Sequence, residues 1–183
     1  MGPYFLSFYQ VNMKKVLPKK TMKILESLLS EDQDNLKKYR AGLISGQELE
    51  KANNRRVDIL KNLINKHGFP TITTSSRKAY KTAVVITLHS GNIPLLNKSI
   101  NVLTQASQNE VDKGDIAFMI DKKLVIKKRP QLYGTQFKRM KNSTVEFLKI
   151  EDQKNLNLRR KALGMSSFER YKKLVTKIKR GNR

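Results

Sequence analysis

The sequence contains no cysteine and no tryptophan, and only two of its 183 residues are histidine. The absence of cysteine excludes disulfide bridges, thiolate metal sites and cysteine nucleophiles. His67 and His89 cannot by themselves complete the three-ligand set of a catalytic zinc. No stretch reaches the ~20 apolar residues of a membrane-spanning helix. We therefore expect a soluble chain with no transmembrane segment and no recognisable metal-ligand set.

Acidic residues are also scarce. The chain has 38 Lys and Arg against 15 Asp and Glu, a formal charge of +23, and a sequence pI near 10.3. This charge favours polyanionic partners, nucleic acid or nucleotides, because each neutralised phosphate releases counterions. A solvated basic surface without a partner is the alternative. The cationic residues form three clusters: Lys14, Lys15, Lys19, Lys20 and Lys23; Lys122, Lys123, Lys127, Lys128 and Arg129; and Lys172, Lys173, Lys177, Lys179, Arg180 and Arg183.

The first twenty residues are predicted to be a basic and apolar N-terminal extension. Residues 1–10 are apolar and aromatic but have no basic segment before them and no small-residue cleavage site after them, which is not typical of a signal peptide. Met13 is a second candidate start. We expect a cytoplasmic protein by default, with export by a specialised secretion system as an alternative.

Residues 21–183 are predicted to form one mainly helical domain, because apolar residues recur at helical spacing between cap and stop signals. Capping boxes at Ser45–Glu48 and Ser166–Glu169 mark two helix starts. Alternation in residues 131–140 and 144–149, around a turn at 141–143, predicts a late β-hairpin. The fold class is therefore mainly α (α+β). The predicted helices run from Thr21 to about Tyr39, from Ser45 to Gly68, from Ser76 to Leu88, from Asn92 onward, from Asp112 to Lys122, from Asp152 to Leu163, and from Ser166 onward.

Two candidate catalytic residues, His89 and Asp121, lie where packing alone would not select a polar group. His89 ends the most apolar predicted helix, and an imidazole suits acid–base work near neutral pH. A structural histidine is the alternative. Asp121 falls near a predicted helix C-terminus, where the helix dipole disfavours a carboxylate. It is therefore expected to have a cationic partner or, alternatively, to orient an imidazole or a substrate hydroxyl.

Candidate ligand-binding residues follow in the last third of the chain. Gln131, Tyr133 and Thr135 are predicted to share one strand face, with Gln136 on the other, and their amides and phenol could recognise a ligand. Cross-strand hydrogen bonding is the alternative. In the pair Arg159 and Arg160, at most one side chain is expected to face the core, because adjacent helical residues point about 100° apart. An inward guanidinium would need a carboxylate or a phosphate.

These residues also carry a family resemblance. His67-Gly68-Phe69-Pro70, Leu88-His89, Asp121-Lys122, the run Gln131-Leu132-Tyr133-Gly134-Thr135-Gln136 and Arg159-Arg160 follow one another in an order that resembles an uncharacterised bacterial family marked by a Q-x-Y-G-T-Q signature. The resemblance spans roughly residues 48–171. Phe69 and Lys122 stand where that family often has Trp and Arg. The resemblance supplies no activity, but it implies that the two candidate catalytic residues, the hexapeptide and the arginine pair form one constellation.

Two functions are compatible with this pattern. The first is a small metal-independent enzyme, or a toxin or effector domain, acting on a phosphate-bearing substrate such as a nucleotide or nucleic acid. In it His89 is the general acid or base, Asp121 orients it, and Arg159 or Arg160 holds the phosphate, while Gln131, Tyr133 and Gln136 position the ligand. No P-loop, G-x-G-x-x-G, H-E-x-x-H or G-x-S-x-G motif occurs, so the common nucleotide-binding, zinc-protease and hydrolase classes receive no support. The cofactor is unknown.

The second function is a non-catalytic basic module that binds RNA or the ribosome. The chain has no RNA-recognition signature, so such binding would be mainly electrostatic. A third, lower-ranked alternative is peripheral contact with an anionic membrane through the last helix, whose polar face is cationic.

Overall fold

The computed structural model describes residues 16–140 and 144–177, and it confirms a mainly helical fold with a late hairpin. A short 3-10 helix at Gln153–Asn155 precedes the sixth α-helix. The elements are α1 (Lys19–Arg40), α2 (Gly46–His67), α3 (Arg77–Ser90), α4 (Ile93–Gln105), α5 (Lys113–Ile126), β1 (Phe137–Arg139), β2 (Val145–Phe147), α6 (Leu156–Ala162) and α7 (Phe168–Lys177).

Helix α3 is the centre of the bundle and packs against α1, α2, α4 and α5. Half of its residues are buried, on a broad face that these helices cover. Burial of this kind explains how a segment rich in β-branched residues stays helical, since tertiary packing outweighs its modest helix propensity. The buried apolar side chains around it include Leu25 and Leu28 of α1, Leu60 and Ile64 of α2, Leu96 and Leu103 of α4, and Met119 of α5.

Helices α1, α3 and α5 point their C-terminal ends in the same direction. The starts of α3 and α5 are joined by a 2.7 Å hydrogen bond from the Tyr80 hydroxyl to Asp115. Their ends also meet, since a Cβ atom built on Gly91 would lie 3.6 Å from Cδ1 of Ile126. The start of α1 lies beside the start of α3, because the backbone N–H of Leu17 donates to the carbonyl of Thr74 over 2.7 Å.

Most helix starts follow the predicted caps, but Asp152 caps the short 3-10 helix rather than α6, whose N-cap residue is Asn155. The Ser45–Glu48 capping box is present, and Ser76, Asn92 and Asp112 cap α3, α4 and α5. Helix α7, however, begins after Ser167, whose hydroxyl accepts from the backbone N–H of Arg170 over 3.3 Å. Helix α5 also continues to Ile126 rather than ending at Lys122, so that Asp121 lies within the helix.

The hairpin is shorter than predicted. Strands β1 and β2 pair antiparallel, with Phe137 opposite Phe147. Residues 131–136 do not belong to β1, and their part in the sheet is limited to one isolated bridge from Gln131 to Ile150. Phe147 packs edge-on against Phe168 of α7, with ring centroids 4.8 Å apart. The hairpin is therefore supported by a helix, as a short two-stranded ribbon requires.

Three predicted features fall wholly or partly outside the described residues: the first fifteen residues, the turn at 141–143 and the last six residues. Leu17 is buried in the core, and α1 begins at Lys19. Among residues 16–140 and 144–177, no helix combines the length and the apolarity needed to cross a bilayer.

Candidate functional site

The hexapeptide Gln131–Gln136 is a loop wrapped around the carboxylate of Asp121; we call it the 131–136 loop. Oδ1 of Asp121 accepts the backbone N–H of Leu132 over 2.7 Å and that of Tyr133 over 3.0 Å. Oδ2 accepts both the backbone N–H and the hydroxyl of Thr135, each over 2.9 Å. A carboxylate thus replaces the strand ladder that the sequence pattern predicted for this segment.

Asp121 has backbone donors where the sequence predicted a cationic partner. It is fully buried, and burial raises its pKa above the usual range, while the hydrogen bonds from Thr135, Tyr133 and Leu132 act in the opposite direction. Both of its oxygens are engaged by the loop. The expectation that Asp121 orients His89 is therefore not met.

Gln131 closes the same loop from the inside. Its side-chain amide donates to the carbonyl of Gln136 over 2.9 Å and to that of Leu148 over 2.8 Å, and its side-chain oxygen accepts the backbone N–H of Gln136 over 2.8 Å. Because Gln131 is fully buried and both its amide N–H groups and its oxygen take part in these bonds, it is not free to bind a ligand. Tyr133 is only half-buried, and burial, followed by the Asp121 charge, raises the pKa of its phenol.

The two arginines hold the loop through its carbonyl oxygens. Nη1 of Arg160 donates to the carbonyl of Tyr133 over 2.6 Å, and its Nε donates to the carbonyl of Ser166 over 2.8 Å. The guanidinium lies 5.0 Å from the centre of the Tyr171 ring. Nε of Arg159 donates to the carbonyl of Leu132 over 2.9 Å.

One arginine faces inward, as expected: Arg160 is 1% exposed. Its partners, however, are carbonyl oxygens and an aromatic ring rather than a carboxylate or phosphate. The structure therefore brings Asp121, the hexapeptide and both arginines together, but it joins them into a closed hydrogen-bonded unit that holds the chain's last third against α5.

His89 belongs to a different cluster. Its Nδ1–H donates to Oδ2 of Asp32 on α1 over 3.1 Å. Asp32 is almost fully buried, whereas the His89 side chain is 44% exposed. The imidazole thus has one nitrogen fixed by a buried carboxylate, while no hydrogen bond holds Nε2 within the described residues.

Arg56 of α2 contacts the Asp32 side of this pair. Its guanidinium is 1% exposed, and Nη2 lies 3.4 Å from Oδ1 of Asp32, the oxygen that His89 does not contact. The same guanidinium donates to Asn53 and, over 3.1 Å, to Glu31. Glu31 is also paired with Arg55. We call Asp32, Arg56 and His89, with the supporting Glu31 and Asn53, the Asp32–His89 cluster.

The charges around Asp32 decide its ionisation. Burial acts to raise the pKa of this carboxyl group, but the hydrogen bond from His89 and the charges of His89 and Arg56 outweigh it, so that the pKa lies below its usual value. Asp32 is therefore an anion at neutral pH, and its negative charge faces the imidazole.

Sequence reasoning missed Asp32 and Arg56, although a signal was present. Asp32 follows Leu25 and Leu28 at spacings of seven and four residues, on the buried stripe of α1. Arg56 precedes Val57 and Leu60 on the buried stripe of α2. A charged residue on an apolar helix face needs a partner. An acid on the stripe of one helix and a base on the stripe of the next therefore predict an ion pair between the two helices.

The family comparison covers most of this geometry. A family model matches residues 39–180, more than half of the chain. The chain belongs to DUF6624, a family of unknown function. The DUF6624 match includes His89, Arg56, the 131–136 loop and both arginines of α6, whereas Asp32 lies just before it on α1. Comparison with curated proteins and with solved structures finds no match.

A metal site needs several ligand side chains close together. In the described part of the chain, no three His, Asp or Glu side chains lie close enough together to hold a metal ion. The Asp32–His89 cluster instead has the composition of an acid–base site, with a buried carboxylate behind a half-exposed imidazole.

Proposed function

We propose that the chain is a small enzyme acting on a phosphate-bearing substrate, with His89 as its general acid–base group. The observation that carries the proposal is the hydrogen bond from Nδ1 of His89 to buried Asp32. An acceptor at Nδ1 holds the proton there and leaves the lone pair of Nε2 available to take a proton from a substrate. Asp32 also stabilises the imidazolium ion that forms when it does.

The burial pattern supports a catalytic rather than a purely structural role. A buried ion pair such as Asp32–Arg56 contributes less to stability than well-packed apolar residues of similar size would. The exposed end of this buried network is the imidazole, which a substrate can reach from solvent. Asp32 and Arg56 act as positioning residues, and His89 is the group placed to touch substrate.

The surrounding charge supports a phosphate-bearing substrate. Helix α5 ends beside the end of α3, since Ile126 lies next to Gly91. The three residues that follow, Lys127, Lys128 and Arg129, are exposed cations, and the structure gives them no carboxylate partner among its described residues. They attract phosphate to the end of the bundle at which His89 is located.

The test is a panel of phosphate compounds incubated with the purified protein: p-nitrophenyl phosphate, bis(p-nitrophenyl) phosphate, ATP, and short RNA and DNA oligonucleotides. We expect at least one to be converted, and His89→Gln to lower the rate by roughly 10²- to 10⁴-fold. His67→Gln changes the other histidine and serves as the matched control, with an unchanged rate. Addition of EDTA should leave the rate unchanged.

Two outcomes contradict the proposal. One is conversion that His89→Gln does not slow. The other is a panel on which the wild-type protein does nothing. Binding of RNA without conversion, at an affinity that His89→Gln leaves unchanged, supports the non-catalytic RNA- or ribosome-binding module instead, because phosphate contacts alone produce such binding.

A further inference from the structure

An exposed aromatic residue lies beyond the Asp32–His89 cluster on α1. Tyr39 is 47% exposed in the last turn of α1, between the exposed cations Lys38 and Arg40. One edge of its ring is near α2, where a Cβ atom on Gly46 would be 3.9 Å from Cε2. An aromatic face flanked by cations is the arrangement on which unpaired nucleic-acid bases stack.

Tyr39 and His89 lie at the same end of the bundle. Asp32 contacts His89, and Tyr39 comes seven residues later, two helical turns along the same side of α1. The rise between them is about 10 Å. A strand stacked on Tyr39 therefore has about two helical turns of α1 to follow before it reaches the level of the half-exposed His89 side chain.

The two cation groups at this end come from different helices. Lys38 and Arg40 belong to the end of α1, whereas Lys127, Lys128 and Arg129 follow the end of α5, which lies against the end of α3. A chain of phosphates presents several negative charges and can contact both groups at once. The surface thus fits a polymer better than a mononucleotide.

The shape beside His89 agrees with a polymer. The depression next to the imidazole, lined by Asn53, Val57, Ile86 and Ser90, is too narrow to admit a water molecule. Small-molecule sites enclose their ligand in clefts of roughly 300–1,000 Å³. The ligand of His89 therefore lies across the surface of the bundle.

From these observations, and resting on the proposed role of His89, we infer that the substrate is single-stranded RNA and that its own 2′-hydroxyl is the nucleophile. Nε2 of His89 takes the proton of the 2′-hydroxyl as that oxygen forms a bond to the adjacent phosphorus. The bond from phosphorus to the 5′-oxygen of the next nucleotide breaks, and this oxygen takes a proton from water. The products are a 2′,3′-cyclic phosphate and a 5′-hydroxyl end, and His89 returns its proton to solvent.

Three oligonucleotides of one base sequence test the inference: RNA, DNA, and RNA in which every 2′-hydroxyl is methylated. We expect cleavage of the RNA alone, with a 2′,3′-cyclic phosphate detected by mass spectrometry. His89→Gln should lower the rate by about 10²-fold or more. Tyr39→Leu should weaken RNA binding about ten-fold, whereas Tyr39→Phe, which keeps the aromatic face, should bind as the wild type does.

The cations have a matched control in the same helix bundle. Lys127→Ala with Arg129→Ala should reduce the slope of log affinity against log salt by about 1.4, because each phosphate of a single strand that a cation neutralises adds about 0.7 to it. Arg77→Ala with Lys78→Ala removes the same charge from the opposite end of α3 and should change this slope by less than half as much. Circular dichroism checks that each variant is folded.

The outcomes separate this inference from the proposed function. Cleavage of DNA or of methylated RNA, dependent on His89, overturns the assignment of RNA and its nucleophile but retains the acid–base role. The same holds if only a small phosphate compound is converted. RNA cleavage that persists in His89→Gln overturns both proposals, as does the absence of conversion of every compound by the wild-type protein.

Discussion

Nη2 of Arg56 lies 3.4 Å from Oδ1 of Asp32, on the carboxylate oxygen opposite the one that His89 contacts. Removing Arg56 leaves a buried carboxylate without its permanent counter-charge. We expect Arg56→Met to lower the free energy of unfolding by about 3–5 kcal/mol in urea denaturation. Arg55→Met is the control, because Arg55 is more than half exposed. This substitution should lower the free energy of unfolding by less than about 1 kcal/mol. Equal losses in the two variants would contradict this account.

The Asp32–His89 bond also fixes a tautomer. We expect nitrogen-15 NMR, at a pH where the His89 imidazole is neutral, to show its proton on Nδ1, because Asp32 accepts it there. In Asp32→Ala this preference should disappear, while the signals of His67 stay unchanged. A proton found on Nε2 in the wild-type protein would mean that Asp32 does not orient the ring.

Asp32 makes stability depend on pH in a defined direction. Its pKa is lower in the folded chain than its ordinary value of 3.8. The carboxylate therefore contributes stability above pH 3.8, and this contribution is lost as the pH falls further toward the folded-state pKa. The difference in unfolding free energy between the wild type and Asp32→Asn should shrink as the pH falls below 3.8.

Exposed Asp34 on the same helix is the control for this pH series. The free energy of unfolding of Asp34→Asn should stay within about 0.5 kcal/mol of the wild-type value at each pH. A difference between the wild type and Asp32→Asn that grows as the pH falls below 3.8 would contradict the lowered pKa of Asp32.

Asp121 should be essential for stability rather than for binding. Asp121→Asn replaces an acceptor of four donors with a group that is itself half donor, at a site that is 0% exposed. We expect a loss of about 2–4 kcal/mol, measured as a fall in Tm of roughly 4–16 °C. Asp58→Asn changes a carboxylate that is 71% exposed and should move Tm by less than about 2 °C.

Gly134 should tolerate no side chain. Its φ is +65°, and a Cβ atom there would lie 2.8 Å from Cε2 of Phe168. Backbone strain and overlap together predict a loss of about 2–5 kcal/mol for Gly134→Ala. Gly42 has a similar φ of +71° with open space around it, so Gly42→Ala should cost only the strain, about 1–2 kcal/mol. Equal costs would indicate that the Phe168 ring moves aside.

Helix positions were predictable because their signals are local. Ser45, Ser76, Asn92 and Asp112 each cap the helix that follows, and the apolar stripes match the buried faces. The choice of Ser166 over Ser167 as the last cap was wrong because the carbonyl of Ser166 is turned toward Arg160, a contact that no local pattern records.

The 131–136 loop was not predictable from alternation. Burial in this loop does not alternate as in a strand: Gln131, Gly134 and Thr135 are buried, and the other three residues are half-buried. The loop takes its shape from Asp121, ten residues before its start. The partner of His89 was equally hidden, since Asp32 lies 57 positions earlier in the chain. Residue types therefore singled out His89 as a candidate, whereas only the packing of α1 against α3 shows that Asp32 is its partner.

The position of Asp121 also has a consequence for the order in which the chain acquires its structure during synthesis. All four of its donors come from residues 132–135, which leave the ribosome after α5 is complete. Until then the carboxylate stays hydrated, and α5 lacks the cover that later buries it. Arg160, which joins the loop to α6, follows about 25 residues later still. The last third of the chain therefore closes over a helical body already in place, and a nascent chain stopped before Arg160 should expose this face of α5 to chaperones.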